Sequence, residues 1–547
     1  MHRITLLLSL LSRALPVLAL IFLLVVAWNL SDFIPIWDGG WFLGCAMDAS
    51  LNLGDISKFN CGVHEPAIFY MGLLALVHYV SGGSLSVLHF FNLALLFVAM
   101  WASFRLLRSL FPAEENQREL ALVAAISGTF PILVAIVFNT SLDFSVAVFL
   151  VLYALAIAKR SVLGALLAAS ALAFSKETGL LMYALSLPFV ALFATEGPLF
   201  SKQRFRSALR YAPLLLPGIF HFVYFLMRPD GYSLQGKVAT QLCWTEAKEW
   251  YQLFLQLNFS SKTIQNYLFN IFALNFNWIL TAIIAVALFK ILAAFARAKF
   301  SRAFFAVPTQ QTRAQLFVLA LFIVSIYAST RCPFYNNPKY IAPSLMLLAI
   351  VSYGALLRVV ASAPLRQAFL SGFLILNCFS LFRTLDPISR SYYGTIPFGQ
   401  HRILHMTSRT NECCGYGQDQ LVYNLEFTNL HYLVGEAFKE LRIKASDPLV
   451  VPTRAWMLRF FDSESWDRGL NPKNPVSYWE LSADEAIHNE DIGYVYYIDY
   501  AFHDTREDLE KLRGCFRQEW RKEFFRDGYS LPIYRFVRTG SCPAKTP

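Results

Sequence analysis

The sequence predicts an α-helical polytopic membrane protein with about eleven transmembrane helices and a C-terminal soluble domain of α/β or α+β type. Of the 547 residues, 56% are hydrophobic and only 15% are charged. Soluble domains carry about 25% charged residues, so an ordinary soluble enzyme is excluded. The apolar residues also form runs of about 17 to 25, the length that crosses roughly 30 Å of hydrocarbon.

The predicted spans are separated by short connections. They lie near residues 14–34, 84–108, 118–138, 142–158, 161–175, 178–196, 210–227, 266–290, 314–330, 340–358 and 367–383. The first is expected to be a retained helix, because its apolar run is long and no small-residue cleavage pattern stands before Trp37. The stretch 66–80 is short and is followed by Ser81-Gly82-Gly83, so we predict a juxtamembrane helix on the outer surface.

Lys and Arg residues are concentrated in alternate connections, as the positive-inside rule expects of cytoplasmic loops. With the N-terminus inside, the inner connections hold Arg105 and Arg108, Lys159 and Arg160, the basic residues of 202–210 and 290–313, and Arg358 and Arg366. The outer segment 32–65 instead has five acids and one lysine. The net charge of +10 therefore reflects membrane orientation, and we predict no nucleic-acid partner.

This topology divides the chain into a transmembrane domain at 1–385, with a first outer loop at 32–83, and an extracytoplasmic soluble domain at 386–547. In the soluble domain, β-rich runs at 449–452, 494–498 and 532–537 alternate with a charged amphipathic stretch at 504–525. Eight of the nine cysteines fall in segments assigned outside, where disulfides persist. Cys45–Cys61 and Cys515–Cys542 are plausible pairs, although spacing leaves the connectivity open.

Acidic side chains gather where the predicted outer loops meet the membrane. Asp38 follows Trp37, at a surface where a general base could meet both a lipid-borne donor and an aqueous acceptor. His64-Glu65 opens the juxtamembrane helix, and Asp143 stands at the start of the fourth span. Simpler alternatives stay open, since Asp38 could be a solvated loop acid and Asp143 a helix cap.

Cationic side chains are expected on the same surface. Lys176 precedes the sixth span, Arg331 follows the ninth, and Lys339-Tyr340 opens the tenth. Long basic side chains at helix ends can simply snorkel toward water. Acids and bases drawn from four distant segments onto one face are nonetheless what the handling of a phosphoryl-linked substrate requires.

The order of these motifs resembles the GT-C superfamily of membrane glycosyltransferases, particularly the branch of protein O-mannosyltransferases and the aminoarabinose transferase of lipid A. An acidic first loop is followed by His-Glu-Pro-Ala-Ile-Phe-Tyr at 64–70 and a basic inner turn at 105–111. Asp143 and Lys176 come next, and then Asn-Pro-Lys-Tyr-Ile-Ala-Pro at 337–343. The resemblance covers roughly residues 10–385, and the order of the short motifs carries it.

The resemblance implies an inverting glycosyltransferase that moves a sugar from a polyprenyl-phosphate carrier to a hydroxyl on a lipid, glycan or protein, at the outer face of the membrane. It implies catalytic roles for Asp38 and Asp143. Asp38-Gly39 stands where the family often has Asp-Glu, so the second carboxylate is missing from its usual place.

The resemblance also implies where the donor phosphate would bind. Lys176 and Tyr340 match positions associated with that phosphate, and Lys339 stands where an Arg is common. Arg331 is a further cation that could stabilise it. The candidate substrate-binding residues are Trp41, His64 and Glu65.

The sequence makes no cofactor certain. Asp38, Asp143, His64 and Glu65 offer ligands for a divalent cation, although their spacing is not a metal signature. The expected location is the bacterial inner membrane, with the C-terminal domain in the periplasm or outside. Alternatives are a secondary transporter, for which the sequence shows no internal repeat, and an O-antigen ligase or polymerase.

Overall fold

The computed structural model of the protein describes residues 2–31, 33–35, 38–53, 67–112, 117–195, 201–227, 262–297, 309–331, 338–382, 385–393, 421–451, 478–499, 506–526 and 529–540. A large helical part is followed by a small mixed sheet. The helices of the first part are α1 (His2–Asn29), α2 (Asp38–Ser50), α3 (Ile68–Val80), α4 (Leu85–Leu110), α5 (Gln117–Gly128), α6 (Pro131–Phe138), α7 (Leu142–Ala158), α8 (Val162–Ala173), α9 (Glu177–Phe189), α10 (Lys202–Leu209), α11 (Leu216–Met227), α12 (Lys262–Phe272), α13 (Asn277–Arg297), α14 (Gln310–Arg331), α15 (Ala342–Val359), α16 (Ala363–Ser380) and α17 (Pro387–Tyr393).

Within these described ranges, six helical segments are long and apolar enough to cross a membrane, and the bent pair α5–α6 would make a seventh. Each predicted span contains helix, but 118–138 and 266–290 are each divided between two helices, and α7, α8 and α11 are shorter than an ordinary span. The chain is therefore an integral membrane protein. The number of eleven crossings stays a prediction.

The third predicted span, at 118–138, is not continuous. The helices α5 and α6 meet at an angle of 56°. Pro131 opens α6, where its missing N–H is tolerated but would break a continuous helix. Thr129 Oγ1 donates to the Ala125 carbonyl oxygen at 2.9 Å, a contact that favours bending.

The segment predicted to be the first outer loop contains two short helices among its described residues. The predicted juxtamembrane helix is α3, whose 13 residues are too few to cross the hydrocarbon. The other helix, α2, was not predicted and begins at Asp38. The two are joined by a contact of 2.9 Å between Ser50 Oγ and His78 Nδ1. Phe69 N donates to the Phe174 carbonyl oxygen at 3.0 Å, which anchors α3 to the end of α8.

At the opposite end of the helical part, a buried ion pair joins α5, α15 and α16. Arg366 Nε lies 2.9 Å from Glu119 Oε2, and the Tyr353 hydroxyl donates to the same oxygen at 3.0 Å. Arg366 Nη1 also donates to the carbonyl oxygens of Val360 and Ala361 at 3.1 and 2.8 Å. At a rise of 1.5 Å per residue, Tyr353 lies about 16 Å and Val360 about 27 Å from the beginning of α15.

The C-terminal part combines α18 (Leu421–Leu441), α19 (Ala483–His488) and α20 (Arg506–Cys515) with a five-stranded sheet. Its strands are β1 (Pro448–Val450), β2 (Trp479–Leu481), β3 (Tyr494–Ile498), β4 (Phe516–Arg526) and β5 (Tyr529–Arg538), in the order β2-β1-β3-β5-β4. The pairs of β1 are parallel, whereas β5 is antiparallel to both β3 and β4. All three predicted β-rich runs are strands.

The charged stretch at 504–525 corresponds to two elements instead of one amphipathic segment. It contains α20 and then most of β4, which is an edge strand. Charged side chains on an edge strand prevent pairing with other chains, and this explains why the stretch does not look like a strand.

Two of the three cysteines among the described residues, Cys45 and Cys515, are disulfide-bonded, and Cys378 is free. The partners predicted for the two bonded cysteines, Cys61 and Cys542, lie outside the described residues. The predicted pairings therefore stay predictions.

Candidate active site

A buried ion pair joins the beginnings of α7 and α9. Lys176 Nζ donates to both carboxylate oxygens of Asp143, at 2.8 Å each. The Lys176 and Asp143 side chains are 5% and 2% exposed. A charge this far from water requires a partner, and each side chain supplies it for the other.

The local sequence places both groups. Ser141 N-caps α7, since its hydroxyl accepts from Asp143 N at 3.3 Å. Asp143 then lies in the first turn, where the helix dipole favours a carboxylate. Lys176 is the extended residue directly before α9. From this position, its side chain reaches Asp143 in the first turn of α7.

Tyr340 connects this pair with a second lysine. The turn Pro338–Ile341 opens α15, and the Lys176 ammonium lies 4.5 Å from the centroid of the Tyr340 ring. Lys339 Nζ lies 5.3 Å from the same centroid, and Lys339 is buried. Two ammonium groups within cation–π distance of one ring create a concentrated positive charge beside Asp143.

The beginning of α2 packs against the segment that precedes Asp143. A Cβ atom on Gly39 would lie 2.0 Å from the Asn139 carbonyl oxygen, and one on Gly40 would lie 2.7 Å from the Pro35 carbonyl oxygen. Only glycine permits these approaches. The backbone of Asp38 is therefore held close to the segment that leads into Asp143. The Asp38 side chain lies outside the described residues.

No protein-family model and no curated protein matches the sequence. Among solved structures, ArnT from Cupriavidus metallidurans bound to undecaprenyl phosphate is similar, with a TM-score of 0.52 and 13% identity, over 95% of this chain and 97% of that chain. The apo state of the same protein gives a TM-score of 0.51 and 12% identity over the same shares. An Archaeoglobus fulgidus oligosaccharyltransferase gives a TM-score of 0.45 and 10% identity, over 88% of this chain and 67% of that chain. The chain has the GT-C fold.

Within this GT-C fold, the predicted site residues separate into three groups. Asp143, Lys176, Lys339 and Tyr340 contact one another as described above. Trp41 is half-buried on α2, where its ring stacks on Phe42 at 5.8 Å between centroids. Arg331 ends α14, but its side chain lies outside the described residues, as do His64 and Glu65 entirely.

The sequence analysis did not identify some polar residues that lie near Tyr340. The Tyr267 ring on α12 lies 6.3 Å from the Tyr340 ring. Beside it, the buried Asn266 amide accepts from the Tyr392 hydroxyl, while its Nδ2 has no hydrogen-bond partner among the described residues. The signal was present, since Asn266, Tyr267 and Asn270 recur at helical spacing at the start of an apolar span.

Thr140 is a second residue that sequence reasoning missed. It has a φ of 52°, which is rare for a β-branched residue, and its buried hydroxyl has no hydrogen-bond partner among the described residues. Strained backbone of this kind is concentrated at functional sites. Thr140 lies between Asn139, which contacts Gly39, and Ser141, which caps α7.

The described residues contain no group of three or more His, Cys, Asp or Glu that could hold a metal ion. Of the four predicted ligands, only the Asp143 side chain is described, and both of its oxygens accept from Lys176. An ammonium already supplies the positive charge at this carboxylate. Binding of a divalent cation stays a prediction.

Proposed function

We propose that the protein is an inverting glycosyltransferase that moves a sugar from a polyprenyl-phosphate carrier to a hydroxyl acceptor. The observation that carries the proposal is the convergence of Lys176 and Lys339 on Tyr340, beside Asp143 and the start of α2. The GT-C fold supports it, because ArnT, which has this fold, was solved bound to undecaprenyl phosphate.

The two lysines would act on the leaving group. As the bond between the anomeric carbon and the phosphate oxygen breaks, negative charge gathers on the lipid phosphate. Cations fixed in a site with little water stabilise such charge far more than solvated cations do. Lys176 and Lys339 are buried in this way, and Arg331 is the third proposed contact.

Asp38 would be the general base. It would take the proton of the acceptor hydroxyl as that oxygen attacks the anomeric carbon, while the phosphate departs with the electrons of the broken bond. Attack opposite the leaving group inverts the anomeric carbon. Asp143 is less suited to this step, because Lys176 occupies both of its oxygens. We therefore revise its predicted catalytic role and assign it to holding Lys176.

The site would face away from the cytoplasm, in a bacterial inner membrane, with the C-terminal domain on the same side. The basic connections support this orientation through the positive-inside rule. The disulfide-bonded Cys45 and Cys515 support it independently, since such bonds persist in an oxidising compartment.

Transfer of radiolabelled sugar from a panel of polyprenyl-phosphate donors tests the proposal. We expect Asp38→Asn to lower the transfer rate by roughly 10²- to 10⁴-fold, the range for loss of a general base. Asp48→Asn is the matched control, because Asp48 is an exposed carboxylate on the same helix. Normal transfer by a folded Asp38→Asn protein that binds the donor would contradict the assignment.

A further inference from the structure

One helix of the C-terminal domain, α18, is bound firmly to the sheet. Arg526 on β4 pairs with Glu436 at 2.8 Å, and its guanidinium lies 4.4 Å from the centroid of the Tyr432 ring. One turn further along α18, Glu440 pairs with Lys522 of the same strand. Exposed ion pairs contribute little by themselves, but the buried side chains of α18, such as Leu433 and Phe438, also belong to one apolar cluster with Leu531 of β5. The helix is therefore packed on the sheet.

The same helix carries a histidine into the helical part of the protein. His431 is 1% exposed, and its ring stacks on Phe33 with 6.0 Å between centroids and 22° between planes. Phe33 lies near the beginning of the acidic segment 32–65 and is fully buried. The contact therefore joins the C-terminal domain directly to the segment that leads into α2.

Phe33 is held from the membrane part as well. His89 on α4 stacks on its ring at 6.1 Å, and His89 Nε2 lies 2.7 Å from the Phe33 carbonyl oxygen. Since a carbonyl oxygen only accepts, Nε2 is the donor. Phe33 is thus fixed by two imidazoles, one from each part of the protein.

A continuous set of contacts runs from Phe33 to Asp38. Two residues after Phe33, the Pro35 carbonyl oxygen lies where only a glycine, Gly40, can approach it in the first turn of α2. The same turn meets the Asn139 backbone through Gly39. A shift of Phe33 would therefore displace the turn that begins with Asp38.

We propose that the C-terminal domain positions Asp38 for catalysis by holding Phe33 through His431. The inference rests on the proposed function, in which Asp38 takes the acceptor proton. His431 touches no reacting atom in this scheme and is a positioning residue. Removal of its ring lets the first turn of α2 move while the lysines that bind the phosphate stay in place.

Kinetics of the full chain provide the first test. We expect His431→Ala to lower kcat about tenfold or more, because small misplacements of a catalytic group cause losses of up to about 10²-fold. The KM for the donor should change less than about twofold, and His431→Phe, which keeps a stacking ring, should restore most of kcat. His488→Ala is the control, since His488 is exposed on α19 of the same domain. A wild-type kcat for His431→Ala, or a loss confined to KM, would overturn the inference.

A second measurement does not depend on transferase activity. With Asp38→Cys in the full chain, the rate of maleimide labelling reports how tightly the first turn of α2 is held, after subtraction of labelling in the parent chain. We expect His431→Ala to raise this rate at least fivefold and His488→Ala to leave it unchanged. If His431→Ala does not fold, Phe33→Leu removes the other ring of the contact and should raise the rate in the same way.

The two tests fail in different ways. Equal labelling rates with and without the His431 ring would overturn the positioning role, whatever the enzyme does. Absence of transfer from every polyprenyl-phosphate donor by the wild-type chain would overturn the proposed function, while a raised labelling rate would still support the contact between the domain and α2.

Discussion

Removing one member of the Asp143–Lys176 pair should destabilise the protein more than removing both. Asp143→Asn leaves a buried ammonium that has lost its carboxylate, and Lys176→Met leaves a buried carboxylate that has lost its ammonium partner. The double variant leaves neither charge. The three variants form a double-mutant cycle around one contact.

The magnitude follows from burial. With side chains only 5% and 2% exposed, water cannot solvate the charge that remains after a single substitution. Removing one partner of such a pair costs about 3–5 kcal/mol, whereas replacing both by uncharged groups of similar volume is often close to neutral. We therefore expect each single variant to lose about 3 kcal/mol of unfolding free energy and the double variant to regain most of it.

The assay combines unfolding in detergent with sugar transfer by the same preparations. Stability should return in the double variant, but transfer should not, because the phosphate has lost the Lys176 ammonium. The matched control is Glu119→Gln with Arg366→Met, at a second buried ion pair at the opposite end of the helical part. Those variants should show the same pattern of stability, with unchanged transfer per folded molecule.

Two results would refute this reasoning. If the losses in the single variants add in the double variant, the charges are not coupled and the pair does not stabilise the fold. If the stable double variant transfers sugar at the wild-type rate, Lys176 has no role at the phosphate and the pair is purely structural.

Further predictions concern Tyr340, Gly39 and His431. Tyr340→Leu should weaken binding of undecaprenyl phosphate about fivefold, because a buried cation–π contact is worth about 1 kcal/mol and holds Lys176 in place, and equilibrium binding measures this. Gly39→Ala should lower transfer at least tenfold with the donor KM retained, since the new Cβ would lie 2.0 Å from the Asn139 oxygen. Burial lowers the pKa of His431 from 6.5 to about 3, so its contribution to stability is complete above pH 6.5 and falls toward pH 3. The loss should be roughly 1 kcal/mol at pH 5.5, and thermal unfolding between pH 7.5 and 5 measures it.

Each of these predictions has a control within the chain. Tyr340→Phe keeps the ring and should bind the donor normally. Gly372→Ala adds a methyl group where no atom lies within 4 Å, so transfer should be unchanged. His431→Phe cannot take up a proton and should remove the corresponding part of the pH dependence. A pH profile identical to that of the wild type would contradict the assignment to His431.

The helical architecture was predictable because length and apolarity alone determine which segments can enter a bilayer. The strands at 448–450, 494–498 and 529–538 were also visible, since they lie inside the domain and are rich in β-branched and aromatic residues. The edge strand β4 was hidden by its charges. The bend at Pro131 was open to prediction from the proline, but the expected span length favoured a continuous helix.

The site was predictable as a set of residue types but not as a set of contacts. Alternation of basic loops placed Asp143, Lys176 and Tyr340 at one surface, which follows from orientation alone. The contacts depend on how helices that are distant in sequence pack. This packing pairs Lys176 with Asp143 and brings two ammonium groups to the Tyr340 ring. Tyr267 contacts Tyr340, and His431 contacts Phe33, through tertiary packing that no local sequence pattern specifies.

The two buried ion pairs differ in the groups that surround their cations. Arg366 lies in the first turn of α16, where the dipole of its own helix disfavours a cation, but it donates to the Glu119 carboxylate and also to carbonyl oxygens at the end of α15, where the dipole favours one. Lys176 stands directly before α9, where the dipole also disfavours a cation, and among the described residues its ammonium is partnered by the Asp143 carboxylate and the Tyr340 ring.

Helix N-termini surround Lys176 and Lys339. The helices α7 and α9 begin beside the Asp143–Lys176 pair, and α15 begins directly after the turn that carries Tyr340. The positive ends of these three helices therefore lie near the ammonium groups. An anion between them would be stabilised by the lysines and by the helix ends together. Because Asp143 already pairs with Lys176, the second lysine and the helix ends supply the remaining positive charge, which a bound phosphate would offset in the proposed donor site.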